Sequence, residues 1–279
     1  MAVIQVAGKS EGKWDSARLI TSAQLAFRKC IGPLLVLLLW HLASTHQWVD
    51  PHFLPAPSTV LRTFQDWVFG QPGTTTYSGT WIIHTLSSTY RVTIGFAIAA
   101  VVGVVLGCLI GWFRLVSDLL DPVIQIIRPI PITSWVPFAV IFFGIRDGSA
   151  FFLIALGAFF PIVINTAAGV ASTPRLLVRA ARMLGIRWYM MLPRVVLPSA
   201  MPYIFTGLRL GIGLAWVLVI VAEMMAVKSG LGFVMWDAYY FLRLDIIIGA
   251  MLSVGALGFV SDLIIRMIGR WVMRWRQGL

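Results

Sequence analysis

Charge is scarce in this chain, and that scarcity excludes a water-soluble globular domain. Of 279 residues only 12% are Asp, Glu, Lys or Arg, 59% are apolar, and the mean hydropathy is +0.87; a soluble protein carries about a quarter charged residues. Cysteine is nearly absent. Cys30 and Cys108 both stand in apolar context, which leaves no disulfide framework and no metal-ligand spacing. Histidine is equally thin: His41, His46, His52 and His84 are scattered, none stands four residues from a carboxylate partner in a metalloprotease pattern, and no Gly-x-Ser-x-Gly occurs. A membrane enzyme, which needs polar residues clustered at one interface, lacks its parts. Gly8-Lys9-Ser10 looks like the end of a phosphate-binding loop, but Val3 stands where the first glycine belongs and no strand precedes it. The chain therefore binds no ATP by that route, and its energy source is a partner or an ion gradient. An ion-gradient carrier or channel would work without an ATPase and would favour an inverted repeat, and no repeat is visible. The net charge of +11 would suggest nucleic acid only if the basic residues clustered on a soluble face.

They lie beside long apolar runs instead. Six segments pass the length and polarity test for crossing a hydrocarbon core: Cys30 to Val49, Val92 to Phe113, Pro122 to Ile145, Ala150 to Val170, Tyr203 to Val227 and Ile246 to Ile268. Runs this long and continuous satisfy their backbone groups in lipid only as helices, so the fold is an all-α polytopic membrane protein of about six transmembrane helices. Pro129, Pro131 and Pro137 must kink or interrupt the third run, which reads as a broken helix lining a cavity. The organisation expected is an N-terminal segment 1–29, a first span with an outer loop over 30–84, a core over 85–268 holding a loop at 171–202, and a tail at 269–279. Residues 1–29 are too long and too mixed in charge for a simple cleaved signal and read as a retained anchor. With the N-terminus inside, fifteen Lys and Arg fall in the inner segments against five in the outer ones, Arg62, Arg91, Arg146, Lys228 and Arg243. Both termini are expected in the cytoplasm. Trp271 and Trp275 with Arg270, Arg274 and Arg276 read as an interfacial anchor there.

In the outer loop, Ser58 to Phe69 reads as an amphipathic helix with Ser58 as N-cap and Val60, Leu61, Phe64, Trp67 and Val68 as its apolar face. It would lie on the outer membrane surface or against the first span. Gly95, Ala99, Gly103, Gly107 and Gly111 form a ladder of small residues that permits close helix contact, and Gly207, Gly211 and Gly213 read the same way. Charges inside spans each cost at least ~2.5–3.5 kcal/mol at mid-depth unless paired or hydrated; these are Arg128, Arg209, Glu223 and Asp262. At about 1.5 Å per residue, Arg128, Arg209 and Asp262 share one depth near the inner ends of their spans, and Glu223 lies about 20 Å away. Arg209–Asp262 or Arg128–Asp262 can pair, while Arg128–Glu223 cannot; snorkelling of both arginines is the alternative.

The segment Ala171 to Pro202 reads as helix, turn, helix, with Gly185 in a left-handed turn and Leu177, Ala180, Ala181 and Leu184 on one face. Arg175, Arg179, Arg182 and Arg187 are interspersed. By itself this could be a basic interfacial loop held by anionic lipid. The positions Ala180-Ala181, Gly185, Val195 and Leu197-Pro198, however, resemble the signature loop of binding-protein-dependent ABC importer permeases, with Arg179 in place of that pattern's glutamate and Val195 in place of isoleucine. Arg128-Pro-Ile-Pro-Ile-Thr-Ser-Trp135-Val-Pro137, Phe160-Pro161 with Asn165-Thr166, Ala222-Glu223 and Gly230-Leu-Gly232 resemble the nitrate, sulfonate, taurine and bicarbonate branch. The resemblance runs from about Thr85 to the end of the sixth span. It implies a type I importer in the bacterial plasma (inner) membrane, with two permease chains forming a homodimer, two ABC ATPase subunits that carry ATP and Mg, an extracytoplasmic solute-binding protein and no cofactor in this chain. The solute implied is a small anion such as nitrate, bicarbonate or a sulfonate; an aromatic acid or pyrimidine vitamin precursor is the alternative within the same machinery. Arg179, Ala180, Ala181, Leu184, Gly185 and Arg187 are the ATPase-docking candidates, and Arg128, Trp135 and Glu223 the translocation-pathway candidates.

Overall fold

The computed structural model describes residues 31, 32, 34–46, 48, 50 and 53–276. Segment 1–29, Cys30 and the last three residues of the tail lie outside the described residues. The described residues divide into two compact units, one up to Arg62 and one from Thr63. In the first, the apolar helix α1 (Leu34–Thr45) covers part of the first expected span. Trp40 Nε1 donates to the Pro55 carbonyl and Ser44 Oγ to the Leu54 carbonyl, both at 3.1 Å, folding the segment after α1 back on it.

Helix α2 (Pro57–Phe69) opens on proline, so Ser58 stands inside the first turn rather than at the cap. Proline suits that turn because its missing N–H would have no intrahelical partner. Leu61 points outward; Phe64 and Trp67 turn to the core. Trp67 is packed among Tyr77, Leu231, Val234, Ile246 and Ala250, which corrects the surface-lying helix expected here.

The second unit is a helical bundle without strands among the described residues. Its elements are α3 (Trp81–Trp112), α4 (Arg114–Ile127), a short turn of helix at Ile132–Trp135 leading into α5 (Val136–Phe143), α6 (Asp147–Ala171), α7 (Arg175–Met183), α8 (Trp188–Met191), α9 (Leu197–Ala226), α10 (Leu231–Tyr240) and α11 (Leu244–Val272). Among the described residues, four stretches are long and apolar enough to cross a membrane: α3, α6, the continuous run Trp188–Ala226 and α11. Helices α4 and α5 make a fifth only as a pair bent by 92°. Pro129 and Pro131 sit in that break, where two missing N–H groups and a fixed φ end the helix.

Helix α3 begins at Trp81, well before the Val92 expected from hydropathy. Its first three turns carry Ser87, Ser88 and Arg91, which lower the mean hydropathy, yet Ile82, Ile83 and Leu86 still face outward. The small-residue ladder works as its spacing implies. A Cβ added at Gly95, Gly103 or Gly107 would come within 2.7, 2.9 or 2.6 Å of the side chains of Ile154, Ile162 or Thr166, so α3 and α6 meet backbone to backbone. Gly207 and Gly211 bring α9 as close to α6, whereas Gly213 faces open space. The shared core includes Val92, Ala99, Leu153, Ile162, Ala215 and Val219.

Candidate functional site

The two ends of the bundle differ, and each holds part of the site. At the end where α3 and α6 meet the turn before α10, Arg91 and Glu223 are buried together, with side-chain exposures of 6% and 0%. Arg91 Nη1 donates to Glu223 Oε1 at 2.8 Å and to the Ser229 carbonyl at 2.7 Å; Nη2 donates to Ser229 Oγ at 2.7 Å, and Nε to Asp147 Oδ1 at 2.7 Å. Asp147 stands in the first turn of α6, where a carboxylate also suits the helix dipole. The second carboxylate oxygen of Glu223 accepts from Ser88 Oγ and from the Gly232 N–H, both at 2.9 Å. Ser88 Oγ in turn accepts from the Leu231 N–H at 2.8 Å, and His84 Nδ1 from the Gly230 N–H at 3.2 Å.

The N–H groups of Gly230, Leu231 and Gly232 at the start of α10 are thus met by side chains of α3 and α9, partners that a buried helix start needs. Gly230 has φ +113, and a Cβ there would overlap the Glu223 carboxylate. The paired motifs Ala222-Glu223 and Gly230-Leu-Gly232 are two halves of this latch. On its other side α10 is held by Tyr77, whose hydroxyl donates to Asp237 Oδ2 at 2.8 Å. Burial first, then that carboxylate, pushes the Tyr77 hydroxyl above the ordinary tyrosine range, keeping it a neutral donor.

Arg91, expected in an outer loop, lies inside α3, and Glu223, expected without a cationic partner, pairs with it. Both points are corrected by the early start of α3. A usable signal was present: His84, Ser88 and Arg91 continue, at spacings of four and three, the face that Gly95, Ala99 and Gly103 occupy.

At the opposite end lies the elbow. Helix α7 stops at Leu184, and Gly185 follows with φ +82. Gly185 N–H donates to the Arg182 carbonyl at 3.0 Å and Ile186 N–H to the Ala181 carbonyl at 3.1 Å, the paired bonds of a Schellman cap. The expected single face is split. Val178 and Ala181 turn inward onto a cluster with Val170, Met191 and Val196, because a nine-residue helix resting on the start of α9 has one inner stripe to bury. Leu177, Ala180 and Leu184 stay outside. The outer side presents Leu176, Met183 at 89% and Leu184 at 82% exposure, with Trp188 beside them. Arg175, Arg179, Arg182 and Arg187 are also exposed, and no acidic residue occurs between 171 and 202. Arg187 Nη1 donates to the Tyr189 hydroxyl at 3.0 Å.

A cleft of about 400 Å³ opens between α4 and the α3–α6 pair, lined by Ile110, Asp121, Ile124, Gln125, Arg128, Val163, Ile164 and Ala167. A shallower continuation runs past Trp112, Arg114 and Ser117 to Ala171, at the elbow end. Arg128 makes no ion pair among the described residues. Trp135 lies elsewhere, half-buried edge-on to Phe138 at 5.6 Å and against Phe152 at 6.4 Å. Arg128, Trp135 and Glu223 are thus three separate places. Of the two pairings that depth allowed, Arg209–Asp262 forms, with Nε to Oδ1 at 2.8 Å, and Arg266 also bonds Asp262. Among the described residues no group of His, Cys, Asp or Glu could hold a metal ion.

Residues 99–274 match the family described as the binding-protein-dependent transport system inner membrane component. The chain belongs to this family. It is 42% identical over 191 residues to a bicarbonate transport system permease protein of Synechococcus elongatus, covering 68% of this chain and 69% of the relative. It is 36% identical to a nitrate import permease protein of Synechocystis (84% and 85% covered) and 33% identical to the taurine transport system permease protein of Escherichia coli (94% and 92% covered). The fold is that of an ABC importer permease: the MetNI methionine ABC transporter superposes with a TM-score of 0.58 at 17% identity, over 68% of this chain and 95% of that one. The elbow, Arg128 and Glu223 all fall inside the matched family segment of this permease. Arg91, Ser88 and His84, which complete the latch, precede it.

Proposed function

We propose that the chain is a permease subunit of an ATP-driven importer in the plasma (inner) membrane, with both termini and the elbow in the cytoplasm. The observation that carries this reading is the elbow itself. A capped turn presents Leu176, Met183, Leu184 and Trp188 to solvent among the exposed Arg175, Arg179, Arg182 and Arg187, and apolar exposure on this scale, interspersed with charge, marks a docking surface. ABC ATPase subunits carrying ATP and Mg would receive it, with Arg179, Ala180, Ala181, Leu184, Gly185 and Arg187 at or around the contact. A second permease chain would complete the pathway, and an extracytoplasmic binding protein would deliver the solute to the latch end.

The solute is taken to carry an oxyanion head. Arg128 is a permanent cation in a cleft within the membrane-spanning bundle, and its planar fork suits carboxylate, sulfonate or nitrate oxygens. The bicarbonate, nitrate and taurine named for the relatives all have such a head. In this reading Arg128 meets the solute, Trp135 braces α5 on α6, and Glu223 belongs to the seal at the latch end. A cleft open toward the elbow and a latched far end fit one half of an alternating-access cycle, in which ATP binding draws two docked elbows together and turns the helices behind them.

Extracted in mild detergent from cells that use it, the chain should co-purify with an ABC ATPase in stoichiometric amount. Arg179→Glu should weaken that association more than Arg179→Ala, since an all-basic elbow favours an acidic groove rim. A transport-competent preparation free of any ATPase would overturn the reading.

A further inference from the structure

The far end of α11 carries a basic row that neither the latch nor the elbow uses. Gly269 sits against Phe205 of α9, whose ring an added Cβ would approach to 3.0 Å, so this end of α11 lies on the elbow side of the bundle. Helix α11 stops at Val272, and the short turn of helix Arg274–Arg276 follows directly. Arg266, Arg270 and Arg274 recur at intervals of four, and Met267, Trp271 and Trp275 recur one residue after each. A four-residue step nearly repeats a helix face, so the two rows run side by side. All six residues are exposed, Trp271 at 70% and Trp275 at 56%.

The three arginines are unevenly neutralised. Arg266 bonds Asp262, which Arg209 also holds, so one carboxylate serves two guanidiniums. Arg270 and Arg274 have no ion pair among the described residues, and no Asp or Glu occurs between Asp262 and Leu279. The carbonyls left free at the end of α11 attract a nearby cation. That accounts for one basic residue here, not for two with a tryptophan beside each.

We propose that this corner binds the phosphodiester headgroup of an anionic phospholipid in the leaflet on the elbow side, with Arg270 and Arg274 on the phosphate and Trp271 and Trp275 beside the glycerol backbone. A planar guanidinium gives two N–H groups at once to phosphate oxygens. Tryptophan settles at headgroup level because its ring is apolar and its indole N–H is polar. The occupant is a lipid rather than a protein groove because Ile264, Met267 and Ile268 continue the exposed apolar strip along α11 toward the middle of the span, where acyl chains cover it. A zwitterionic headgroup brings its own cation against the arginines and gains less. The site needs only that α11 crosses the membrane; it is independent of the solute and of the ATPase.

The test uses the full-length permease in phosphatidylcholine vesicles to which lipid with brominated acyl chains is added, since bromine quenches nearby tryptophan. The quenching that disappears in Trp271→Phe with Trp275→Phe is the signal of this corner. One guanidinium near an anionic surface is worth about fivefold in affinity, so the wild type should favour brominated phosphatidylglycerol over brominated phosphatidylcholine at least about fivefold here. Arg270→Gln with Arg274→Gln should bring that preference below about twofold, and Arg270→Lys with Arg274→Lys should keep most of it, because the attraction is mainly one of charge. Equal quenching of every variant by brominated phosphatidylcholine alone shows that the bundle is intact. Inorganic phosphate, at an ionic strength matched with chloride, should leave the preference unchanged. A wild-type preference below about twofold, or one that the Gln substitutions do not reduce, overturns the proposal. Displacement by inorganic phosphate overturns it in favour of a free-ion site. Loss of ATPase co-purification in the Gln variant, with no lipid preference in the wild type, overturns it in favour of a protein contact.

Discussion

Arg91→Leu is expected to destabilise the purified protein by about 3–5 kcal/mol, the cost of leaving a buried charge without its partner. Glu223 has 0% side-chain exposure and cannot recruit water in place of the guanidinium. Ser88 and the Gly232 N–H would remain as donors, but neither carries charge. The same substitution releases Ser229 and Asp147, so the turn before α10 and the start of α6 loosen together. At the usual scale for a bundle of this size, the apparent melting temperature in detergent should fall by about 10 °C. Removing both charges at once, in Arg91→Leu with Glu223→Leu, should recover part of the loss, because two apolar residues leave no unpaired charge behind. Melting of Arg91→Leu within about 2 °C of the wild type would mean that the latch does not hold the helices.

Gly185→Val should sever the ATPase from transport while leaving the membrane bundle intact. A Cβ at Gly185 would meet nothing within 4 Å, so the space is open and only the backbone objects. At φ +82 a β-branched residue is strongly disfavoured, at about 1–3 kcal/mol. The cap would then rearrange, moving Leu184 and Trp188 relative to α7. Since 1.4 kcal/mol is a factor of ten, ATPase association should drop roughly tenfold or more, and ATP-driven uptake with it. Gly185→Asn, which tolerates the left-handed region better, should retain much of both. Equal activity of Gly185→Val and the wild type in a co-purification and uptake assay would show that the elbow is not the coupling element.

What the sequence makes legible here is set by period and by φ. The small-residue ladder reports the α3–α6 contact because a four-residue repeat maps directly onto one helix face, and Gly185 reports its turn because few other residues fit there. Counting depth along the helices narrows the partner of Asp262 to Arg209 or Arg128, and packing selects Arg209. Two features are hidden for one reason: average hydropathy ends a span wherever polar residues gather. The first turns of α3 look like loop because His84, Ser88 and Arg91 point inward together, and Glu223 consequently looks unpaired. The split face of the elbow and the inward polar side of α4 are hidden differently. Amphipathicity shows that a helix has two faces, and only tertiary packing decides which one meets the bundle.

The most direct test is solute uptake into sealed proteoliposomes containing the permease, with and without its ATPase, its binding protein and ATP, and with no ion gradient. Uptake should appear only when all three are present and should stop when ATP is replaced by a non-hydrolysable analogue. Uptake that persists without the ATPase, or that an ion gradient alone can drive, would contradict the assignment of this chain as an ATP-coupled importer subunit.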